Sequence, residues 1–192
     1  KAFNGCNSLT EITIPDTIQQ IDKQAFAFCG LTEVAIPAAT TKISSDAFKG
    51  CVNLARISVN GNNSVYHSVG NCIIETKTKT LVAGCKASRI PLGIKTIGDE
   101  AFVNVKDIDT LIIPESVTSI GSNSFYESHI DTLVIPKSVT KIGAYSLTYS
   151  INNIYYAGSE EEFAGISIGT NNLTSIDVYY DYDEPVRYIG DA

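Results

Sequence analysis

Ala2-Phe3-Asn4-Gly5-Cys6-Asn7-Ser8-Leu9-Thr10-Glu11-Ile12-Thr13-Ile14-Pro15 opens the 192-residue chain, and its pattern recurs along the rest. Lined up on the Ala-Phe or Ser-Phe pair, the phenylalanines fall at Phe3, Phe26, Phe48, Phe102 and Phe125, with Leu147 in the next slot; the steps are 23, 22, 54, 23 and 22. Prolines that end an apolar run stand at Pro15, Pro37, Pro91, Pro114 and Pro136, each 11 residues before the next Phe or Leu slot. Six residues after each proline comes an isoleucine: Ile21, Ile43, Ile97, Ile120 and Ile142. One half of the unit therefore has fixed length, and the half from Phe round to Pro varies by a single residue. A fixed period in the range of about 20 to 50 residues is the signature of a repeat architecture.

Within the unit, Leu9-Thr10-Glu11-Ile12-Thr13-Ile14 alternates apolar and polar residues late in the run, the period of a strand with one buried face. Proline then stops the ladder because it has no N–H to donate. The next stretch, for example Ser116-Val117-Thr118-Ser119-Ile120-Gly121, is again β-like, and the residues up to Ala-Phe have room for one tight helical or 3₁₀ turn. A single unit of this size cannot hide its apolar face, but stacked units can, with Phe, Leu, Ile and Val forming ladders through the interior.

The pattern resembles the BspA-like leucine-rich repeats, a variety found in bacterial cell-surface and secreted proteins and in some protist surface proteins. The residues that carry the resemblance are the stretch Ala2 to Pro15 and Val139-Thr140-Lys141-Ile142-Gly143. It implies an α/β leucine-rich-repeat solenoid, a horseshoe-like right-handed superhelix of short stacked strands with a helical or 3₁₀ turn per repeat. On that reading residues 1–180 are one domain, with repeats near 1–24, 25–46, 47–100, 101–123 and 124–145, a C-terminal cap over 146–180, and an exiting linker or tail over 181–192. The long step to Phe102 holds Cys72-Ile73-Ile74-Glu75, a Lys-Thr turn and Leu81-Val82-Ala83, a hairpin by pattern, expected to lengthen one rung within the stack. In the cap, Ser159 followed by Glu160, Glu161 and Glu162 reads as a helix start, with a capping hydroxyl and acids at the positive end of the dipole. Ser175 to Tyr180 reads as a last strand.

Composition limits the function. With 14 Lys+Arg against 21 Asp+Glu the net charge is −7, and the basic residues are scattered singly, which argues against nucleic acid or an anionic membrane as partner. No apolar run is long enough for a membrane span. Lys1-Ala2-Phe3 has neither an initiator Met nor a signal-peptide core, as in a piece of a longer chain.

Five cysteines invite redox or metal readings. Cys6, Cys29 and Cys51 each lie three residues after a Phe slot where Val105 stands later, so they read as small apolar ladder residues. Cys72 and Cys85 bracket the hairpin. With a four-residue turn over Lys77 to Thr80 they would face each other, either as a disulfide in an oxidising compartment or as two free thiols. His67 and His129 lack partners at zinc spacing, so no metal site is expected. Glu160 to Glu162 are explained by the helix start, and Asp181, Asp183 and Glu184 lack a calcium loop's glycine spacing. Gly93 and Gly98 are turn glycines and not a phosphate cradle. No catalytic residues and no cofactor are expected.

The residue between the two inward isoleucines must point outward. Down the array that position reads Thr13, Ala35, Ser58, Arg89, Ile112, Val134, Tyr155 and, from the cap, Tyr179. Its companion row, Glu11, Glu33, Arg56, Thr110, Thr132 and Asn153, is polar and suits a rim. The apolar end makes Arg89, Ile112, Val134, Tyr155 and Tyr179 the candidate partner-binding residues. Replacing Val134 and Tyr155 with Asp is expected to remove binding and leave the melting temperature nearly unchanged. The resemblance implies an extracellular, secreted or surface-attached monomer that binds a host or matrix protein, with a glycan or a spacer role as alternatives.

Overall fold

The structure is a computed structural model, described here for residues 1–148, 151–173 and 176–182. In chain order its elements are β1 (Gln20–Ile21), β2 (Glu33–Ile36), β3 (Lys42–Ile43), β4 (Arg56–Val59), β5 (Tyr66–Val69), β6 (Cys72–Glu75), β7 (Thr80–Ala83) and β8 (Thr96–Ile97). Then come β9 (Ile108–Ile112), β10 (Ser119–Ile120), β11 (Ile130–Ile135), β12 (Lys141–Ile142), β13 (Ile151–Tyr156), α1 (Glu160–Ala164), β14 (Ser167–Ile168) and β15 (Asp177–Tyr179). The Ile-x-Ile runs form parallel ladders, β2 with β4, and β9, β11, β13 and β15 in sequence order. The isoleucine that follows each proline by six forms a second, two-residue ladder: Ile21 pairs with Ile43, and Ile97, Ile120 and Ile142 pair in succession, with Ile168 of the cap added to Ile142. The chain is a β-solenoid of leucine-rich-repeat type, in which most turns supply one long strand and one two-residue strand to parallel ladders.

Local chemistry sets the turns. The carbonyl of Pro15, Pro37, Pro114 and Pro136 accepts from the amide three residues on, closing a tight turn after each long strand. After each Phe slot the same i to i+3 bond closes, at Cys29, Cys51, Val105 and Ser128. These turns do not extend into helices. Gln24, Glu100, Asn123 and Tyr145, one residue before the Ala or Ser of the pair, sit at φ 53 to 58°, and that left-handed geometry breaks any helical run. Among the described residues the only helix is α1 in the cap.

The Phe slots stack as ladders require. Phe3, Phe26 and Phe48 lie 5.5 and 5.7 Å apart with planes within 5°, and Phe102 lies 5.7 Å from Phe125. Between the two stacks the slot is taken by Gly84, whose amide makes the slot's bond to the Ala101 carbonyl. A Cβ on Gly84 would come within 2.2 Å of the Phe102 ring, so glycine is what admits that ring. Each fully buried Phe contributes roughly 1.5–3 kcal/mol of apolar burial.

The long unit carries three strands, one more than its sequence pattern suggests. β5, β6 and β7 form an antiparallel meander that joins the short ladder through β7, Leu81 pairing with Ile97. β6 is buried on both faces: Cys72 and Ile74 pack with the C-terminal core, and Ile73 with the N-terminal one. A register shift between Ile73 and Ile74 pairs Ile74 with Leu81 but Ile73 with Ala83, and the turn runs over residues 76–79. Cys72 is thus opposite Val69, and Cys85 lies beyond the ladder in the other core; both are free thiols. The facing geometry expected of them fails because the turn closes one residue earlier than Lys77 to Thr80, which offsets the pairing by two, and the extra residue of the bulge in β7 recovers only one of them. The first repeat, Leu9 to Pro15, forms no regular strand and meets the next through Thr32 N–H to the Thr10 carbonyl at 3.0 Å.

The cap starts as its sequence indicates. Ser159 Oγ accepts from Glu162 N at 3.2 Å and Glu162 Oε2 accepts from Ser159 N at 2.9 Å, a closed capping box. Asp181 and Tyr182, placed by the sequence in the linker, bond back to Gly158 and Tyr156. The rest of that expected tail, 183–192, lies outside the described residues.

Candidate binding face of the long-strand ladder

The outward row is laid out by the register of the long strands. Ala35 pairs with Ser58, and Ile112, Val134, Tyr155 and Tyr179 pair in succession. The two parts do not form one sheet. At the missing rung, Ser88 holds the place of an inward isoleucine, and its hydroxyl donates to the Asn71 carbonyl at 2.7 Å and accepts from Cys85 N at 2.8 Å. Arg89 is exposed beside that break, outside any strand. It shares a groove of ≈ 480 Å³ with Lys86, Asp107, Asp109 and Ile112.

On the N-terminal side, small Thr13, Ala35 and Ser58 floor a wider groove of ≈ 780 Å³. Glu11, Glu33 and Arg56 border it, with Arg56 3.6 Å from Glu33 and both side chains largely exposed. Such a pair contributes little to stability.

On the C-terminal side the row rises into an aromatic cluster. The Tyr155 ring stacks on Tyr179 at 4.8 Å with an 18° tilt, and on its other contact lies 4.7 Å from Tyr182. Tyr179 is 45% exposed, while Ile112 and Tyr155 are half-buried and Val134 is only 5% exposed. Val134 points outward but is hemmed in by Ile112 and Tyr155 on either side, so it forms the floor of the strip. An Asp there would cost stability, contrary to the expectation that the Val134 and Tyr155 change leaves melting unaltered. Tyr182 is the residue that strand alternation could not assign, because it returns to the strip from beyond the last strand. In the companion row Thr110, Thr132 and Asn153 pair in register, and Asn153 Nδ2 donates to the Asp131 carbonyl at 3.2 Å.

The remaining candidates stand apart from this face and from one another. Cys29, Cys51, Cys72 and Cys85 are buried and Cys6 is exposed. Burial pushes the Cys51 thiol up to about 11 and the Cys72 thiol to about 12, and raises Cys29 and Cys85. Nδ1 of exposed His67 is 2.8 Å from Thr76 Oγ1, and His129 lies 3.7 Å from Asp131. The Glu162 carboxyl is lowered by the Ser159 amide and by Lys137, 3.3 Å away. Among the described residues no three of His, Cys, Asp and Glu converge where a metal could be held, and no helix is long and apolar enough to cross a membrane.

The chain matches the family model described as "BspA type Leucine rich repeat region (6 copies)" over residues 1–84 and 82–184, and it belongs to that family. It is similar to a solved leucine-rich repeat protein of Eubacterium ventriosum, with TM-score 0.66 and 21% identity over 85% of this chain and 48% of that one. It is also similar to a leucine rich cell surface protein of Faecalibacterium prausnitzii, with TM-score 0.53 and 24% identity over 81% and 55%. A third likeness is to the pneumococcal vaccine antigen PcpA, with TM-score 0.52 and 14% identity over 87% and 60%. The chain spans about half the length of these solved chains. No curated protein matches it.

Proposed function

We propose that this chain is a non-enzymatic binding module of an extracellular bacterial protein, and that it takes a protein partner on the long-strand face through Arg89, Ile112, Val134, Tyr155 and Tyr179. Residues 1–180 serve on this reading as one repeat domain whose two cores share β6. The observation that carries it is the apolar and aromatic row held in register from Ile112 to Tyr179, with Tyr182 against it and a polar rim of Thr110, Thr132 and Asn153 beside it. An apolar strip inside a polar border is the anatomy of a protein contact surface, and tyrosine is a favoured anchor there. The ladder holds the strip rigid before contact, so little ordering entropy is lost on binding. Extracellular placement draws on the relatives: one is a leucine rich cell surface protein and another a vaccine antigen.

The test is a binding screen against extracellular host proteins and glycans, with an Ile112→Thr, Tyr179→Ser variant run beside the parent chain. These two positions are reachable from solvent and do not floor the strip. A hot-spot loss of about 2 kcal/mol weakens binding about 30-fold. Equal affinity of variant and parent for a captured protein would place the contact elsewhere. Glycan capture alone would replace the partner class, and a screen without capture would favour the spacer role.

A further inference from the structure

The sequence holds two Asn-Gly pairs, Asn4-Gly5 and Asn60-Gly61, and the fold treats them differently. Asn-Gly is a labile setting for a side-chain amide, because glycine has no Cβ to keep its nitrogen from the neighbouring carboxamide carbon. The first pair is tied into the next turn: the Gly5 N–H donates to the Ala27 carbonyl at 2.8 Å, and Asn4 Nδ2 donates to Gln24 Oε1 at 3.1 Å. The second pair stands in the turn that follows β4, where both residues are exposed. Among the described residues no group accepts from the Gly61 N–H or from Asn60 Nδ2, and a Cβ on Gly61 would meet nothing within 4 Å. The Asn60 carboxamide is engaged only through its oxygen, which accepts from Asn62 N at 2.9 Å and closes a side-chain turn over Gly61. That bond polarises the carbonyl and makes its carbon the better electrophile. The turn is held from behind. Asn63 N donates to the Asn60 carbonyl at 2.9 Å, Asn63 Nδ2 donates to the Pro37 and Thr40 carbonyls at 2.8 Å, and Asn63 Oδ1 accepts from the Val65 and Tyr66 amides.

We propose that Asn60 is a self-modifying position, at which the Gly61 nitrogen displaces the side-chain amide and a carboxylate results. The Gly61 amide gives its proton to hydroxide, and its nitrogen attacks Asn60 Cγ. The Cγ–Nδ2 bond breaks, the departing nitrogen takes a proton from water and leaves as ammonia, and a five-membered succinimide closes between Asn60 and Gly61. Hydroxide is consumed in the first transfer and regenerated in the second, so the rate rises with pH while the net loss is ammonia alone. Water then opens the ring. Addition at Cγ gives aspartate, and addition at the main-chain carbonyl carbon gives isoaspartate. Either product replaces a neutral amide with a carboxylate, and isoaspartate also lengthens the main chain by one carbon between β4 and the Asn63 anchor. Asn60 borders the groove over Ala35 and Ser58, whose edge carries Glu33 and Arg56, so the reaction adds a negative charge there. Age therefore changes the charge of the N-terminal part of the long-strand face and leaves the tyrosine strip as it was.

Trypsin releases Asn4 on peptide 2–23 and Asn60 on peptide 57–77, so one digest reads both pairs. The folded chain is kept in mildly alkaline buffer made with heavy-oxygen water, sampled over days, digested in ordinary water and read by tandem mass spectrometry. The expected product is a carboxylate at residue 60 that carries heavy oxygen and splits into two chromatographic peaks, aspartate and isoaspartate. Because the Gly5 N–H must first give up its bond to Ala27, Asn60 is expected to react about tenfold faster than Asn4. In guanidinium chloride both pairs lie in unfolded chain, and the two rates are expected to converge. Gly61→Ala, which fills open space, is expected to slow the reaction at residue 60 by hindering the nitrogen's approach. Equal rates at Asn4 and Asn60 in the folded chain, an Asn60 that keeps its amide there while reacting in denaturant, or an unchanged rate in Gly61→Ala would each overturn the proposal. The comparison of the two pairs within the parent chain carries the test alone should the variant not fold.

Discussion

Val134→Asp separates a strip that is open surface from one whose floor is covered. Val134 is 5% exposed, between Ile112 and Tyr155 in the ladder. Losing its apolar burial costs about 1.5 kcal/mol. Desolvation raises a buried carboxyl, and a rise of about two units at this one-layer depth adds roughly 2.7 kcal/mol against the ionised form. The folded-state pKa then lies above the unfolded value of about 3.9, so the folded chain holds the proton longer and stability falls as pH rises through a window of about 4 to 6. The deficit is about 2 kcal/mol at pH 4 and about 4 kcal/mol at pH 7.5. Urea unfolding read by tyrosine fluorescence and far-UV circular dichroism at both pH values measures it. With m about 2 kcal/mol/M, the midpoint falls by about 2 M at pH 7.5. Val134→Asn should show a deficit of similar size at both pH values. A Val134→Asp deficit under about 1 kcal/mol that does not change with pH would refute the covered floor.

The buried thiols make the fold sensitive to alkali. Cys29, Cys51, Cys72 and Cys85 are all raised from 9.0 chiefly by burial, to about 11 for Cys51 and about 12 for Cys72. They stay protonated in the fold while the unfolded chain ionises, so stability should decline from pH 9 towards 12. A Cys51→Ala, Cys72→Ala chain should show a shallower decline in urea midpoint, and an identical slope would count against the assignment. Two glycines should part company on substitution. A Cβ at Gly143 would sit 2.4 Å from the Ser122 amide nitrogen, whereas at Gly61 nothing lies within 4 Å. Gly143→Ala should lower the thermal midpoint by several degrees, and Gly61→Ala should leave it unchanged or raise it through a loss of unfolded-state entropy of about 0.4–1 kcal/mol. Equal midpoints for the two would deny the close approach of the turns.

Where turn chemistry and ladder pairing repeat, the residues announce the structure. The interval from Pro15 to Ile21 and Phe26 returns four more times, and the ladders pair those isoleucines and stack most of those phenylalanines. The capping box of Ser159 and Glu162 is legible because it depends on four consecutive residues. The outward direction of Ile112, Val134, Tyr155 and Tyr179 follows from strand alternation alone, and so does their common register.

What alternation cannot convey is cover, because the exposure of an outward side chain depends on its neighbours in adjacent turns. Val134 is closed in by Ile112, 22 residues before it, and Tyr155, 21 residues after it; Tyr182 joins through backbone bonds made beyond the last strand. The middle of the chain shows the same limit. Tyr66 to Val69 has no repeat to announce it, yet becomes a strand whose Tyr66 hydroxyl meets the Ile43 amide at 3.2 Å. The bulge in β7, Gly84 in a phenylalanine slot and Ser88 in place of an inward isoleucine all lie where the two cores meet around β6. Periodicity along the chain determines the turn; contacts between turns determine which residues remain open to a partner.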